Sequence, residues 1–206
     1  MYARSTTIHG DPQAMEEGIA FVRDEVMPAV ERMEGCVGLS MLADRERGTC
    51  IVSTAWRDQD SMHGSREGVR SIRERAAEVF GGSPEVQEWE IAVMHRVHDT
   101  RAGACTRVTW TRADPDQMDR AVDAFRMSLV PRMEEYPGFC SVSLMVSRPE
   151  GMGVSAVTFA DRAAMENTRE RARAMRDEFA PQLGMAITDI AEFELVLAHL
   201  RVPETA

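Results

Sequence analysis

Apolar residues recur along this chain with two periods, and the same succession of periods runs twice. An alternating run over Tyr2 to Ile8 predicts a strand, and Cys105 to Thr111, with Val108 and Trp110 on one face, predicts a second. An Asp-Pro pair follows each, Asp11-Pro12 and Asp114-Pro115. Aspartate accepts from the free amides of a helix start and proline suits the first helical position, so both pairs predict helix starts. Met15, Ile19, Val22 and Val26 then recur at helical spacing, as do Met118, Val122, Phe125 and Leu129, and each stripe reads as a helix face packed on a sheet. Pro28 and Pro131 fall late in these helices, where they should kink them or restart the last turn. Gly35 and Gly138 supply left-handed ends.

Two strands follow in each half. Cys36 to Ala43 and Thr49 to Trp56 are joined by a turn ending at Gly48; Phe139 to Val146 and Val154 to Phe159 are joined by one ending at Gly151. A second helix begins at Asp58 or Asp161 and runs through Met62, Val69 and Ile72 or through Met165, Ala172 and Met175. A last strand closes each half, Val86 to Val97 and Ile190 to Leu200. Alternation puts Trp89, Ile91, Val93 and His95 on one face of the first, and Phe193, Leu195, Leu197 and His199 on one face of the second.

The unit is β-α-β-β-α-β, a ferredoxin-like split βαβ arrangement. Its sheet has helices on one face and a bare apolar face on the other. Two copies cover that face by packing sheet against sheet. The predicted fold class is therefore α+β, two ferredoxin-like βαββαβ repeats packed as an intrachain dimeric α+β barrel. The domains are expected at 1–98 and 104–202, joined by a short linker around Gly103.

The two copies also match residue by residue. At a shift of 103 positions Asp11 falls on Asp114, Met15 on Met118, Pro28 on Pro131, Arg45 on Arg148 and Arg66-Glu67 on Arg169-Glu170. Near the end the shift becomes 104, and Glu88-Trp89-Glu90 lies over Glu192-Phe193-Glu194. A repeat of this length is too long for a solenoid unit.

Composition narrows the function. The net charge of −10 argues against nucleic acid, which needs a basic face. All 24 basic residues are arginine, so Schiff-base chemistry and a phosphate-loop lysine are excluded. Cys36, Cys50, Cys105 and Cys140 sit in strand-like stretches without ligand spacing, which predicts reduced core thiols and no metal site. No apolar run has membrane-spanning length and no signal-peptide core opens the chain, so the expectation is a cytoplasmic protein without a membrane partner.

The segment from Ser53 through Trp56, Asp58 and His63 to Arg66 resembles the antibiotic biosynthesis monooxygenase family of the dimeric α+β barrel superfamily: a strand, a tryptophan, an acidic cap, then a histidine on the following helix. The second copy, Val157 to Asn167, keeps that architecture with Phe159 for Trp56 and Glu166 for His63. The resemblance covers nearly the whole chain. It implies a covalent version of a dimer, monomeric as a pseudo-dimer or further paired as a homodimer. It also implies oxygenation of a small aromatic or quinol-like substrate by O2 with no cofactor, the substrate's own carbanion reacting with oxygen. A related branch binds and degrades haem. The alternatives are a non-catalytic ligand-binding or stress-response barrel, and a haem-binding protein. Whether the chain is an enzyme stays open at this point.

His63 is the candidate base, or a half-exposed surface histidine. Trp56 and Met62, with Arg4 on the first strand and Trp110 and Phe159 in the second half, are the candidate substrate-binding residues. Trp56 reads equally as core, and the matched Arg4 and Arg107 as ion pairs with Glu90 and Glu194 on the last strands. His95 and His199 read as strand-end histidines bonded to backbone, Arg66-Glu67 as a solvated helix face, and the fifteen methionines as core filling or an adaptable pocket. The residues that differ between copies, Trp56 and His63 among them, point to a site in the first half.

Overall fold

The computed structural model of the chain describes residues 1–200 and 202–205. Each half folds as its pattern predicts. In the first, β1 (Tyr2–His9) leads into α1 (Met15–Phe21), which passes through a π-helical turn (Val22–Val26) into α2 (Met27–Glu31). Then come β2 (Cys36–Asp44), β3 (Thr49–Trp56), α3 (Gln59–Gly64), α4 (Arg66–Phe80) and β4 (Pro84–Arg96). The second half repeats this as β5 (Cys105–Arg112), α5 (Met118–Ala124), a π turn (Phe125–Leu129), α6 (Val130–Glu134), β6 (Phe139–Ser147), β7 (Met152–Phe159), α7 (Arg162–Asn167), α8 (Arg169–Gln182) and β8 (Ala186–Leu200). The described strands are hydrogen-bonded in the order β1-β3-β2-β8-β5-β7-β6-β4, a closed antiparallel barrel.

Local chemistry explains the boundaries. Asp11 accepts from the Gln13 amide and Asp114 from the Asp116 amide; Asp58 and Asp161 do the same for Ser61 and Ala164. Neither late proline breaks its helix. Each sits in the first turn after a π segment, where the wider spacing accommodates a residue that cannot donate.

The last strands are longer than one half needs, and the compact units trade their ends. One unit is Met1–Trp89 with Leu195–Val202; the other is Glu90–Glu194 with Pro203–Ala206. The expected single face of β4 does not hold along its length. A bulge between Ile91 and Val93 pairs Ile91 with Met145 and Val93 with the adjacent Leu144, so the two side chains leave opposite faces. The histidines follow the exchange. His95 lies 2.6 Å from Glu134 within the second unit, and His199 lies 3.0 Å from Glu31 within the first. Their partners are carboxylates at matched positions, not the expected backbone groups.

Each unit has its own core. Ile8, Met15, Val22, Leu39, Trp56 and Phe80 anchor the first, and Met118, Phe125, Phe139, Val142, Phe159 and Met165 the second.

Candidate functional site

Each unit buries an arginine on its first strand against the following helices. Arg4 is 3% exposed and donates to Ser65 Oγ (2.8 Å), to the Met62 carbonyl (2.6 Å) and to Glu88 (2.9 and 3.1 Å). Arg107 is 4% exposed and donates to Thr168 Oγ1 (3.1 Å), the Met165 carbonyl (2.8 Å) and Glu192 (2.9 and 3.0 Å). The expected carboxylates, Glu90 and Glu194, are not the partners. Arg107 sits directly opposite Glu192 in the β5–β8 register, while Glu194 lies opposite Cys105. Glu90 instead binds Arg148 at 2.7 Å.

A second arginine shares each carboxylate. Arg66 donates to Glu88 at 2.6 Å and Arg169 to Glu192 at 2.8 Å, so these helix-face arginines are engaged rather than simply solvated. The Arg66 hydrogen bond, with that of Arg4 behind it, outweighs burial and holds the Glu88 carboxyl down at about 2. Burial pushes the Glu192 carboxyl up, but the Arg169 and Arg107 hydrogen bonds leave it below the ordinary range. Two guanidiniums on one carboxylate leave each cluster with surplus positive charge.

Beside each cluster, between sheet and helices, lies a cavity. That of the second unit encloses about 920 Å³ including its mouth, and that of the first about 490 Å³. The larger is walled by Phe125, Leu129, Met133, Phe159 and Phe179, with Arg107, Tyr136 and Arg176 among its polar members. Among the described residues Arg107 and Arg176 are its only charged lining members, with no carboxylate or histidine beside them.

Arg176 has no hydrogen bond or ion pair among the described residues, although it is half-buried. Burial, and after it the nearby Arg107, push its guanidinium below the ordinary value, and Asp177, Tyr136 and Glu192 offset this only in part. Tyr136 is buried, stacks on Phe159 at 6.4 Å, and makes only a 3.7 Å contact from its hydroxyl to Met175 Sδ. Burial pushes its phenol up, which keeps it a neutral donor. The arrangement offers two cations and a phenol O–H to an anionic oxygen on a flat apolar body.

Three glycines explain why the first cavity is smaller. A Cβ on Gly18 would lie 2.0 Å from the Phe80 ring, one on Gly10 would lie 2.1 Å from the Phe80 carbonyl oxygen, and one on Gly82 would lie 2.4 Å from the His9 carbonyl oxygen. Their bare backbones let the end of α4 dock on the β1–α1 loop, where the Asp11 amide donates to the Phe80 carbonyl at 2.8 Å, and the Phe80 ring fills the space behind. The matched positions in the second unit are Ala113, Ala121 and Met185, and Leu183 stands for Phe80. No corresponding bond joins Asp114 to Leu183 among the described residues, and Ala113, Ala121 and Met185 line the open cavity instead.

The sequence-predicted residues distribute unevenly over this geometry. Phe159 walls the larger cavity and Arg4 the smaller. Trp56 is fully buried in the first core, its indole N–H donating to Thr54 Oγ1 at 3.1 Å, and Met62 is buried with its carbonyl on Arg4; neither belongs to the lining of these two cavities. His63 is 39% exposed and lies 3.4 Å from Glu88, outside both linings. Trp110 is on β5 between the lining residues Thr109 and Thr111, so it projects from the opposite face. The expectation of a site in the first half meets a larger, less filled cavity in the second, because Phe80 occupies the space the first would need. Arg176 and Tyr136 escaped the sequence reading. The one available signal was internal: Arg176 matches Arg73 at the 103-residue shift, while Tyr136 replaces Met33.

No protein-family model matches the chain. Over 204 residues it is 48% identical to the uncharacterized protein Rv2557 of Mycobacterium tuberculosis, covering 99% of this chain and 91% of that protein. Over 205 residues it is 48% identical to Rv2558 of the same organism, covering 99% and 87%. Among solved structures it resembles an anthrone oxidase-like protein (TM-score 0.67, 15% identity, 94% of this chain and 90% of that one). It also resembles a ferredoxin-fold protein related to antibiotic biosynthesis monooxygenases from Listeria monocytogenes (TM-score 0.56, 6% identity, 95% and 94%). A third is LmHde, a heme-degrading enzyme of L. monocytogenes (TM-score 0.51, 8% identity, 94% and 99%). At these identities the structures share the fold, and the fold alone does not carry a chemistry.

Proposed function

The chain belongs to the family of the Mycobacterium tuberculosis proteins Rv2557 and Rv2558, and we propose that its second unit binds a small aromatic, quinol- or anthrone-like molecule as an oxyanion and oxidises it with O2 without a cofactor. The observation that carries this reading is the pairing of an apolar, aromatic-walled cavity with Arg176, which has no hydrogen bond or ion pair among the described residues, beside Arg107 and Tyr136. Cations at one pole of a water-poor site favour the ionised form of a bound enol or phenol, lowering its pKa. The electron-rich anion then reacts with O2 directly: one oxygen atom becomes the new carbonyl and the other leaves as water with the two hydrogens of the oxidised methylene. Phe159 and Phe125 hold the ring system, the arginines hold the oxyanion, and Tyr136 donates to it. One of the solved structures that share the fold is named an anthrone oxidase-like protein, which supports this substrate class.

A second reading is ligand binding without turnover. It is favoured because no carboxylate or imidazole stands in the lining among the described residues, which leaves proton removal to solvent. The haem alternative has less support, since among the described residues no histidine or cysteine lines the larger cavity. Oxygen uptake with anthrone separates the first two readings. The oxygenase reading expects uptake well above the buffer rate for the wild type and at least tenfold less for Arg176→Gln. Uptake at the buffer rate by both, with anthrone bound, leaves the binding reading standing. A Soret shift on haem titration that survives Arg176→Gln would favour the third.

A further inference from the structure

We infer that the smaller cavity of the first unit is a second binding site, for a short, branched aliphatic monocarboxylate. The inference is independent of the oxygenase reading, because it concerns the other unit and no redox step.

The polar pole of the first cavity repeats that of the second. Arg4 and Arg66 share the single carboxylate of Glu88, so the cluster carries surplus positive charge before any further group is counted. Arg73, the match of Arg176, adds another cation. It lines the cavity, is half-buried, and has no hydrogen bond or ion pair among the described residues. Burial, with Arg4 next, pushes its guanidinium below the ordinary value. A planar fork of donors at the edge of an apolar space, beside other cations, is matched by a carboxylate. Thr6 stands on the same wall.

The walls set the body of the ligand. Where the second unit uses Phe125, Leu129 and Met133, the first uses Val22, Val26 and Val30. Val52, Val69 and Ile72 complete a lining of β-branched side chains, which hold one rotamer and do not yield to a larger guest. Methionine walls adapt; valine walls do not. With Phe80 filling one end, the space is about half that of its counterpart. The smaller space and its unyielding walls favour a body of a few branched carbons over a tricyclic ring. Between the two copies the cationic pole is kept and the walls change, the pattern expected of two sites selecting different bodies with the same head group.

Calorimetric titration with isovalerate and with 2-naphthoate tests this on the full chain. Wild type should bind both. Arg73→Gln should weaken isovalerate at least tenfold and leave 2-naphthoate within twofold; Arg176→Gln should do the reverse. Val30→Phe, which fills the first cavity and spares Arg73, should also remove isovalerate binding. The inference is overturned if isovalerate does not bind the wild type, if Arg73→Gln leaves its affinity unchanged, or if its loss follows Arg176→Gln. Failure of 2-naphthoate alone would count against the aromatic site and leave this one intact.

Discussion

The two units are built on one frame and differ in what the frame encloses. Both bury a strand arginine on a carboxylate, a hydroxyl and a helix carbonyl, and in both an arginine on the last helix, Arg73 on α4 or Arg176 on α8, has no hydrogen bond or ion pair among the described residues. In the first unit three glycines let α4 close on the β1–α1 loop, and Phe80 fills the interior. In the second, alanine, alanine and methionine at those positions keep α8 off the loop, and Leu183 leaves the space open. The difference teaches that a few missing or added Cβ atoms at a helix end decide whether a duplicated domain encloses a large cavity or a small one, with no change in the elements themselves.

The comparison is sharpest at the shared frame, where the largest effects are expected. Glu192→Ala strands Arg107, and Glu88→Ala strands Arg4, each nearly fully buried. Each should cost about 3 kcal/mol, the lower part of the range for an orphaned buried charge, because both carboxylates are partly exposed. Urea melts measure this, and costs differing by more than about 1 kcal/mol would break the claim that the frames are equivalent.

Next in size is the closure. Gly18→Ala places a methyl inside the Phe80 ring and should cost about 2 kcal/mol, while Ala121→Gly should cost about 1 kcal/mol or less through helix propensity alone. Combining Gly18→Ala with Phe80→Leu, the pair the second unit carries, should recover part of the loss. Strict additivity in a double-mutant cycle would deny that ring and glycine are coupled.

Acid stability gives the smallest effect. Glu88 is held below the usual carboxylate range, so its contribution is present above that range and is lost as pH falls toward about 2. Glu88→Gln should flatten the stability profile over that window by about 1 kcal/mol, after allowance for solvent screening. Glu192→Gln should flatten it less, since burial is the largest single influence there and only the second at Glu88. Equal slopes would show that the two carboxylates are not distinguished by burial.

Much of this was legible in the chain itself. The Asp58 and Asp161 caps, the strand–helix order and the repeat follow from local chemistry that acts over a few residues. The exchange of strand ends and the bulge after Ile91 did not show, because alternation reports a face only while the register is unbroken. Trp56 and His63 drew attention as residues with chemical capacity, yet one is core and the other faces Glu88. Arg176 and Tyr136 gave no local signal. Their importance comes from a cavity that exists because α8 stands off the loop, a tertiary consequence of side chains distant from them in sequence.

The ligand proposed for the second-unit cavity is an aromatic anion held on Arg176 and Arg107. The most direct measurement is a crystal structure of the protein with 2-naphthoate. The carboxylate is expected within hydrogen-bond distance of the Arg176 guanidinium, with the ring between Phe125 and Phe159. A ligand seated elsewhere, or in the cavity with its carboxylate turned away from both arginines, would contradict it.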